Sequence, residues 1–141
     1  MINKQGFNFS FQIIHWQKVH GRHGLPWQNT RDPYAIWLSE IMLQQTRVAT
    51  VIPYYQRFLR RYPDIKSLSL ASLDEVLALW SGLGYYSRGR NLHKSAQLIV
   101  KNYGGKFPSE NNSIKKLPGI GRSTATAAIQ VFAFGKRYAI L

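Results

Sequence analysis

The stretch KKLPGIGRSTATAA, Lys115 to Ala128, decides the architecture. Pro118 ends one helix, Gly119 and Gly121 permit a tight turn, and Ser123 and Thr124 fall in the first turn of the next helix. Exposed amides at such a turn and helix start form an anion site. Lys115, Lys116 and Arg122 add charge beside it. The stretch reads either as an ordinary corner between helices or as a helix–hairpin–helix gripping a phosphate backbone without reading bases. Charge, hairpin and helix start coincide, which favours the second reading.

Apolar spacing is helical in the rest of the chain, and no stretch alternates strictly over the length of a strand. The expectation is an all-α domain. A first helix is predicted from Asn8 to His20 with Phe7, Phe11 and Ile14 on one stripe, broken by Gly21, Gly24 and Pro26. Asp32 then caps a second helix with Pro33 in its first turn, running to Gln45. A third covers Val48 to Arg61. Ser72, with Glu75 three residues on, opens a fourth as a capping box and Gly82 stops it. The fifth spans Ser87 to Tyr103, and short helices at Asn112–Leu117 and Gly121–Phe134 flank the hairpin, giving a hairpin unit at 112–134.

The 141 residues carry 19 Lys+Arg against 6 Asp+Glu, a formal charge of +13, which points to a polyanion and foremost to nucleic acid. There is no cysteine, which excludes disulfides, thiolate-bound zinc and a cluster held by this chain. The first twenty residues have neither a signal-peptide apolar run nor a membrane-length span, so a soluble intracellular protein without membrane contact is expected.

Three further features carry chemistry. In WSGLGYYSRGRNLHK two glycines release the chain before Tyr85 and Tyr86, with Arg88, Arg90, His93 and Lys94 following. Such a tyrosine either wedges between base pairs or caps the core. Glu40 stands among Ile36, Trp37, Ile41, Met42 and Leu43. A desolvated carboxyl there acts as a proton donor near neutrality, or else forms a structural ion pair. Gln44, Gln45 and Thr46 crowd donors and acceptors onto the helix end, suited to base edges or to a solvated terminus.

Taken in order and spacing, LPW, DPYAIWLSEIMLQQTRVATVIPYY, LWSGLGYYSRGRNLHK and LPGIGRSTA resemble the adenine DNA glycosylase family within the helix–hairpin–helix glycosylases, from about His15 to the last residue. The resemblance implies an all-α, six-helix barrel at 28–141, preceded by an N-terminal helix and loop at 1–27, without the C-terminal iron–sulfur segment. It implies an enzyme that flips adenine out of a pair with oxidised guanine and hydrolyses its N-glycosidic bond. Glu40 then matches the acid that protonates adenine N7. Gln45 and Thr46 match residues contacting the oxidised-guanine strand, with Gln44 beside them, and Tyr85 matches the wedge. Arg88, Lys115, Lys116, Gly119, Gly121, Arg122 and Thr124 are expected on DNA. Trp27 matches a pocket wall, with His23 and Gln28 adjacent. Ser123 stands where related lyases carry a Schiff-base lysine, implying base removal without efficient strand cleavage.

The family continues past Leu141 into a second catalytic aspartate, four cysteines holding a [4Fe–4S] cluster, and a domain recognising oxidised guanine. A weakly active or inactive fragment is therefore expected, with no cofactor or metal of its own and the cluster in the full-length parent. Without the segment that covers it, the Phe7–Phe11–Ile14 stripe favours self-association. Double-stranded DNA holding adenine opposite oxidised guanine is the expected partner, in a cytoplasmic, nucleoid-associated setting. The alternatives are a non-catalytic helix–hairpin–helix DNA-binding module and a related glycosylase for another base.

Overall fold

A computed structural model of the protein describes residues 25–27, 30–119, 126 and 129–135, with the backbone alone at 131 and 132. The expected helix at Asn8–His20, the stripe on it and the second helix of the hairpin up to residue 128 fall largely outside these residues. Among them every regular element is helical.

Helix α1, Pro33–Leu43, begins where the Asp32 carboxylate accepts the Tyr34 N–H at 3.1 Å, with proline in the first turn. Every residue from Tyr34 to Leu43 is buried, so α1 is the central helix, enclosed on all sides. It stops at Leu43, and the segment expected to extend it to Gln45 turns away instead.

Helix α2, Val48–Arg61, has the predicted bounds and buries Val51, Tyr55 and Phe58, one stripe at helical spacing. The Tyr34 hydroxyl donates to the Tyr62 carbonyl at 2.7 Å, fastening the start of α1 to the end of α2. Helix α3, Ile65–Leu70, was not expected from periodicity. Its signal is local: the Asp64 carboxylate accepts the Ser67 N–H at 2.7 Å while Ser67 Oγ accepts the Asp64 N–H at 3.3 Å, a reciprocal capping box.

Helix α4, Leu73–Trp80, is capped by Ser72, whose hydroxyl accepts the Glu75 N–H at 3.1 Å. Helix α5, Tyr86–Tyr103, ends at Gly104 in the left-handed region. Helix α6, Asn111–Lys115, leads into the hairpin, and a π-helical turn, Ile129–Ala133, lies against α1. Helix α5 packs on α3, α4 and α1, and the fully buried Trp37, Phe58 and Trp80 fill the interior between them.

The Asp64 carboxyl is held below its ordinary range, chiefly by the hydrogen bond from the Ser67 amide. Asp64→Ala is expected to cost about 1 kcal/mol of unfolding free energy, the usual worth of an N-cap. Urea melts of the two chains read this directly; a change below about 0.3 kcal/mol would mean that α3 is held by its buried Ile65 and Leu68 alone.

Candidate functional site

Glu40 lies in the middle of α1 with 3% of its surface exposed. Burial pushes its carboxyl from 4.5 up to about 8. That direction suits a proton donor and opposes what an ion pair with arginine or lysine gives. Near neutral pH the group holds its proton most of the time.

Four residues beyond Glu40 the chain turns. Gln45 takes φ +59°, in the left-handed region, and its side chain is exposed, whereas Gln44 and Thr46 on either side are half-buried. Of the three residues expected to meet base edges, Gln45 is thus the one at the surface. A second apex stands at Tyr85, also left-handed with φ +49° and 59% exposed. Neither Tyr85 nor Tyr86 caps the core: Tyr86 is 40% exposed and its hydroxyl accepts the Gly82 N–H at 3.4 Å. A left-handed backbone costs a non-glycine residue roughly 1–2 kcal/mol, so each apex is held by its surroundings.

Arg88, expected on DNA, supplies that hold from within the protein. Its guanidinium is buried, not turned to solvent. Nη1 donates to the carbonyls of Ile41, Met42 and Gln44 at 2.9, 2.8 and 2.6 Å. Nη2 donates to Thr46 Oγ1 at 3.1 Å and to the Gly84 carbonyl at 3.2 Å. The cation caps the C-terminal end of α1, where the helix dipole and exposed carbonyls favour positive charge. Both Nη groups are engaged inside the protein, while Nε is buried without a hydrogen-bond partner.

Trp27, expected as a pocket wall, is 2% exposed, and its ring meets Tyr55 edge-on at 5.3 Å. Lys115 and Lys116 are exposed at the end of α6. Gly119 takes φ +80°, and a Cβ there would come within 2.9 Å of the Asn91 Cβ. Ser95 Oγ donates to the Pro118 carbonyl at 3.1 Å, so the first half of the hairpin rests on α5. His23, Gln28, Gly121, Arg122, Ser123 and Thr124 lie outside the described residues.

A cleft of about 190 Å³ runs between α1, the start of α5 and the hairpin. Gln44, Arg88 and Gly119 line it together with Trp37, Ser87 and Asn91. Glu40 is not among its lining residues, so the acid and the cleft are separate features of α1. Sequence reasoning missed Asn91 and Ser95, which seat the hairpin. Their one visible signal is that both fall within the long helix whose basic residues had drawn notice.

Residues 38–138 match the HhH-GPD superfamily of base excision DNA repair proteins. The chain belongs to that superfamily. It is 52% identical over 123 residues to the adenine DNA glycosylase of Buchnera aphidicola subsp. Acyrthosiphon pisum (strain APS), covering 87% of this chain and 35% of that protein. Among solved structures it is similar to a thermostable thymine-DNA glycosylase, with TM-score 0.76 and 31% identity over 98% of this chain and 63% of that one. The fold is also that of endonuclease III in a non-covalent DNA complex, with TM-score 0.70 and 23% identity over 96% of this chain and 62% of that one. The chain spans about a quarter to a third of the length of the curated relatives it matches.

The HhH-GPD fold is all-α, as expected from the hairpin and the helical periodicity. With no cysteine in its sequence, the chain supplies none of the thiolates that an iron–sulfur cluster needs, so the group does not fit its residues. Among the described residues no helix is long and apolar enough to cross a membrane.

Proposed function

We propose that this chain is the acid-bearing, DNA-engaging part of an adenine DNA glycosylase that removes adenine opposite oxidised guanine after flipping it from the duplex. Protonated Glu40 carries the reading. A carboxyl near pKa 8 at the centre of a helix that leads into Gln44–Thr46 supplies a proton where a base can be presented to it. As the bond between the sugar C1′ and the base breaks, its electron pair passes to the base. The proton from Glu40 to adenine N7 lets the base leave neutral. Water then adds to C1′ and gives up a proton.

The site is reached only by a base out of the stack, and unstacking has to be offset by something that fills the gap. Exposed Tyr85, on a strained apex, suits that role, and Gln45 presents an amide at the other apex. Lys115, Lys116 and the hairpin suit the phosphate backbone. The setting this carries is cytoplasmic and nucleoid-associated. A thymine-type specificity has weaker support, since identity to the thymine-DNA glycosylase is 31% against 52% to the adenine relative.

The test is a single-turnover assay with protein in excess over a duplex holding one adenine opposite oxidised guanine. Abasic sites are revealed by alkali, and Glu40→Gln is run alongside. Alkali-labile sites from the wild type, reduced in the variant by a factor of about a hundred or more, are expected for loss of a general acid. Equal product from both chains would remove Glu40 from the chemistry. Binding without product from either would leave the non-catalytic DNA-binding reading in its place.

A further inference from the structure

The two exposed apices, Gln45 and Tyr85, lie forty residues apart in sequence, yet one side chain reaches both. The Arg88 guanidinium holds the carbonyl before Gln45 and the hydroxyl after it, Gln44 O and Thr46 Oγ1, and also the carbonyl before Tyr85, that of Gly84. Its carbon lies 5.4 Å from the centre of the Tyr85 ring and 5.5 Å from that of Trp80. The remaining bonds go to Ile41 and Met42 at the end of the helix bearing Glu40. Three segments with no backbone ladder between them thus share one planar, five-donor group.

We infer that Arg88 is a positioning residue that fixes the Gln45 and Tyr85 apices to the end of α1, so that the two enter a duplex as one rigid unit at a set distance from Glu40. This rests on the proposed DNA reading for its purpose, although the clamp itself exists without DNA. A flat guanidinium is required: Nη1 gathers the end of α1 while Nη2 spans Thr46 and Gly84. A lysine ammonium keeps the charge but is a single point and cannot serve both sets. The position of Arg88 at the start of α5 transmits the constraint, because α5 also carries Asn91 and Ser95, on which the hairpin rests.

The experiment compares the 141-residue wild type with Arg88→Lys in two ways. Without DNA, hydrogen exchange is followed by mass spectrometry over 44–47 and 82–87. Both segments are expected to exchange faster together in the variant, by about tenfold or more, the factor corresponding to a lost charge-assisted hydrogen bond, while α3 is unchanged. With DNA, a duplex carrying 2-aminopurine beside the target adenine reports unstacking by fluorescence. The variant is expected to bind with the same salt dependence and to lose the fluorescence rise.

A salt slope lower by about 0.9 would make Arg88 a phosphate contact and overturn the proposal. So would faster exchange in one segment only, in neither, or uniformly across the chain. Should Arg88→Lys fail to fold, Thr46→Val removes one Nη2 acceptor without touching the buried cation. It must loosen 82–87 as well as 44–47, and loosening of 44–47 alone refutes the clamp. If the wild type itself gives no fluorescence rise, the DNA reading fails, and the exchange experiment still decides whether the two apices are coupled.

Discussion

Titrated from pH 5 to pH 9, the wild-type chain is expected to lose several kcal/mol of unfolding free energy that a Glu40→Gln chain keeps. In the folded protein the Glu40 carboxyl titrates at about 8, against 4.5 ordinarily. Between those values the unfolded chain has given up the proton that the folded chain retains, so stability falls as pH rises. Below the lower value both states are protonated, and above the upper one both are ionised, so the difference is flat outside the window. At about 1.4 kcal/mol per pH unit the gap sets a ceiling of roughly 5 kcal/mol. The Gln variant has nearly the same shape and no charge to bury, and subtracting its curve cancels the other carboxylates, Asp64 among them. Guanidinium melts at four pH values suffice. Parallel curves for the two chains would mean that the folded carboxyl ionises as it does in water, and Glu40 would then have no proton to give at pH 7. The same titration governs function: single-turnover cleavage by the wild type is expected to decline as pH rises past about 8.

The parts of this fold that the sequence made legible are those fixed by neighbouring residues. Asp32 and Pro33 start α1 because a cap and a pre-set φ act within one turn, and Val48–Arg61 is long enough for its apolar stripe to repeat. Helix α3 escaped because six residues give barely two turns of periodicity, and its box uses Ser67 where glutamate or glutamine is the usual sign. The internal contacts of Arg88 escaped for a different reason. In a basic stretch after two glycines, an arginine looks the same whether it meets phosphate or carbonyl oxygens, and three of the four carbonyls it does meet are 47, 46 and 44 residues away. Tyr85 and Gln45 were legible as types but not as apices, since nothing in the residues Gln or Tyr announces a left-handed backbone. Glu40 was legible because the apolar residues around it in the sequence bury it, and burial is the cause of its raised pKa.

Trp80→Ala is expected to be the costliest single change in the described core, at about 3–5 kcal/mol. Trp80 is fully buried at the end of α4, and three elements meet on it. From α2, Phe58 meets its ring edge-on at 6.1 Å. From α5, Gly89 in its first turn approaches so closely that a Cβ there would stand 3.2 Å from Trp80 Cδ2, so the close approach favours a glycine at this point. From the loop between them, the Gly84 carbonyl accepts the indole N–H at 3.0 Å, the same oxygen that accepts from Arg88. Truncation to alanine removes the ring that separates α2, α4 and α5, and helices joined this tightly cannot close the space without shifting. Trp80→Phe separates the two contributions: it keeps most of the volume, loses the hydrogen bond, and is expected to cost only about 1–2 kcal/mol. Chemical denaturation of the three chains gives the ranking. If phenylalanine costs as much as alanine, the polar anchor at Gly84 rather than the filled volume is what Trp80 contributes, and the Tyr85 apex is then held by two donors converging on one oxygen more than by the packing beneath it.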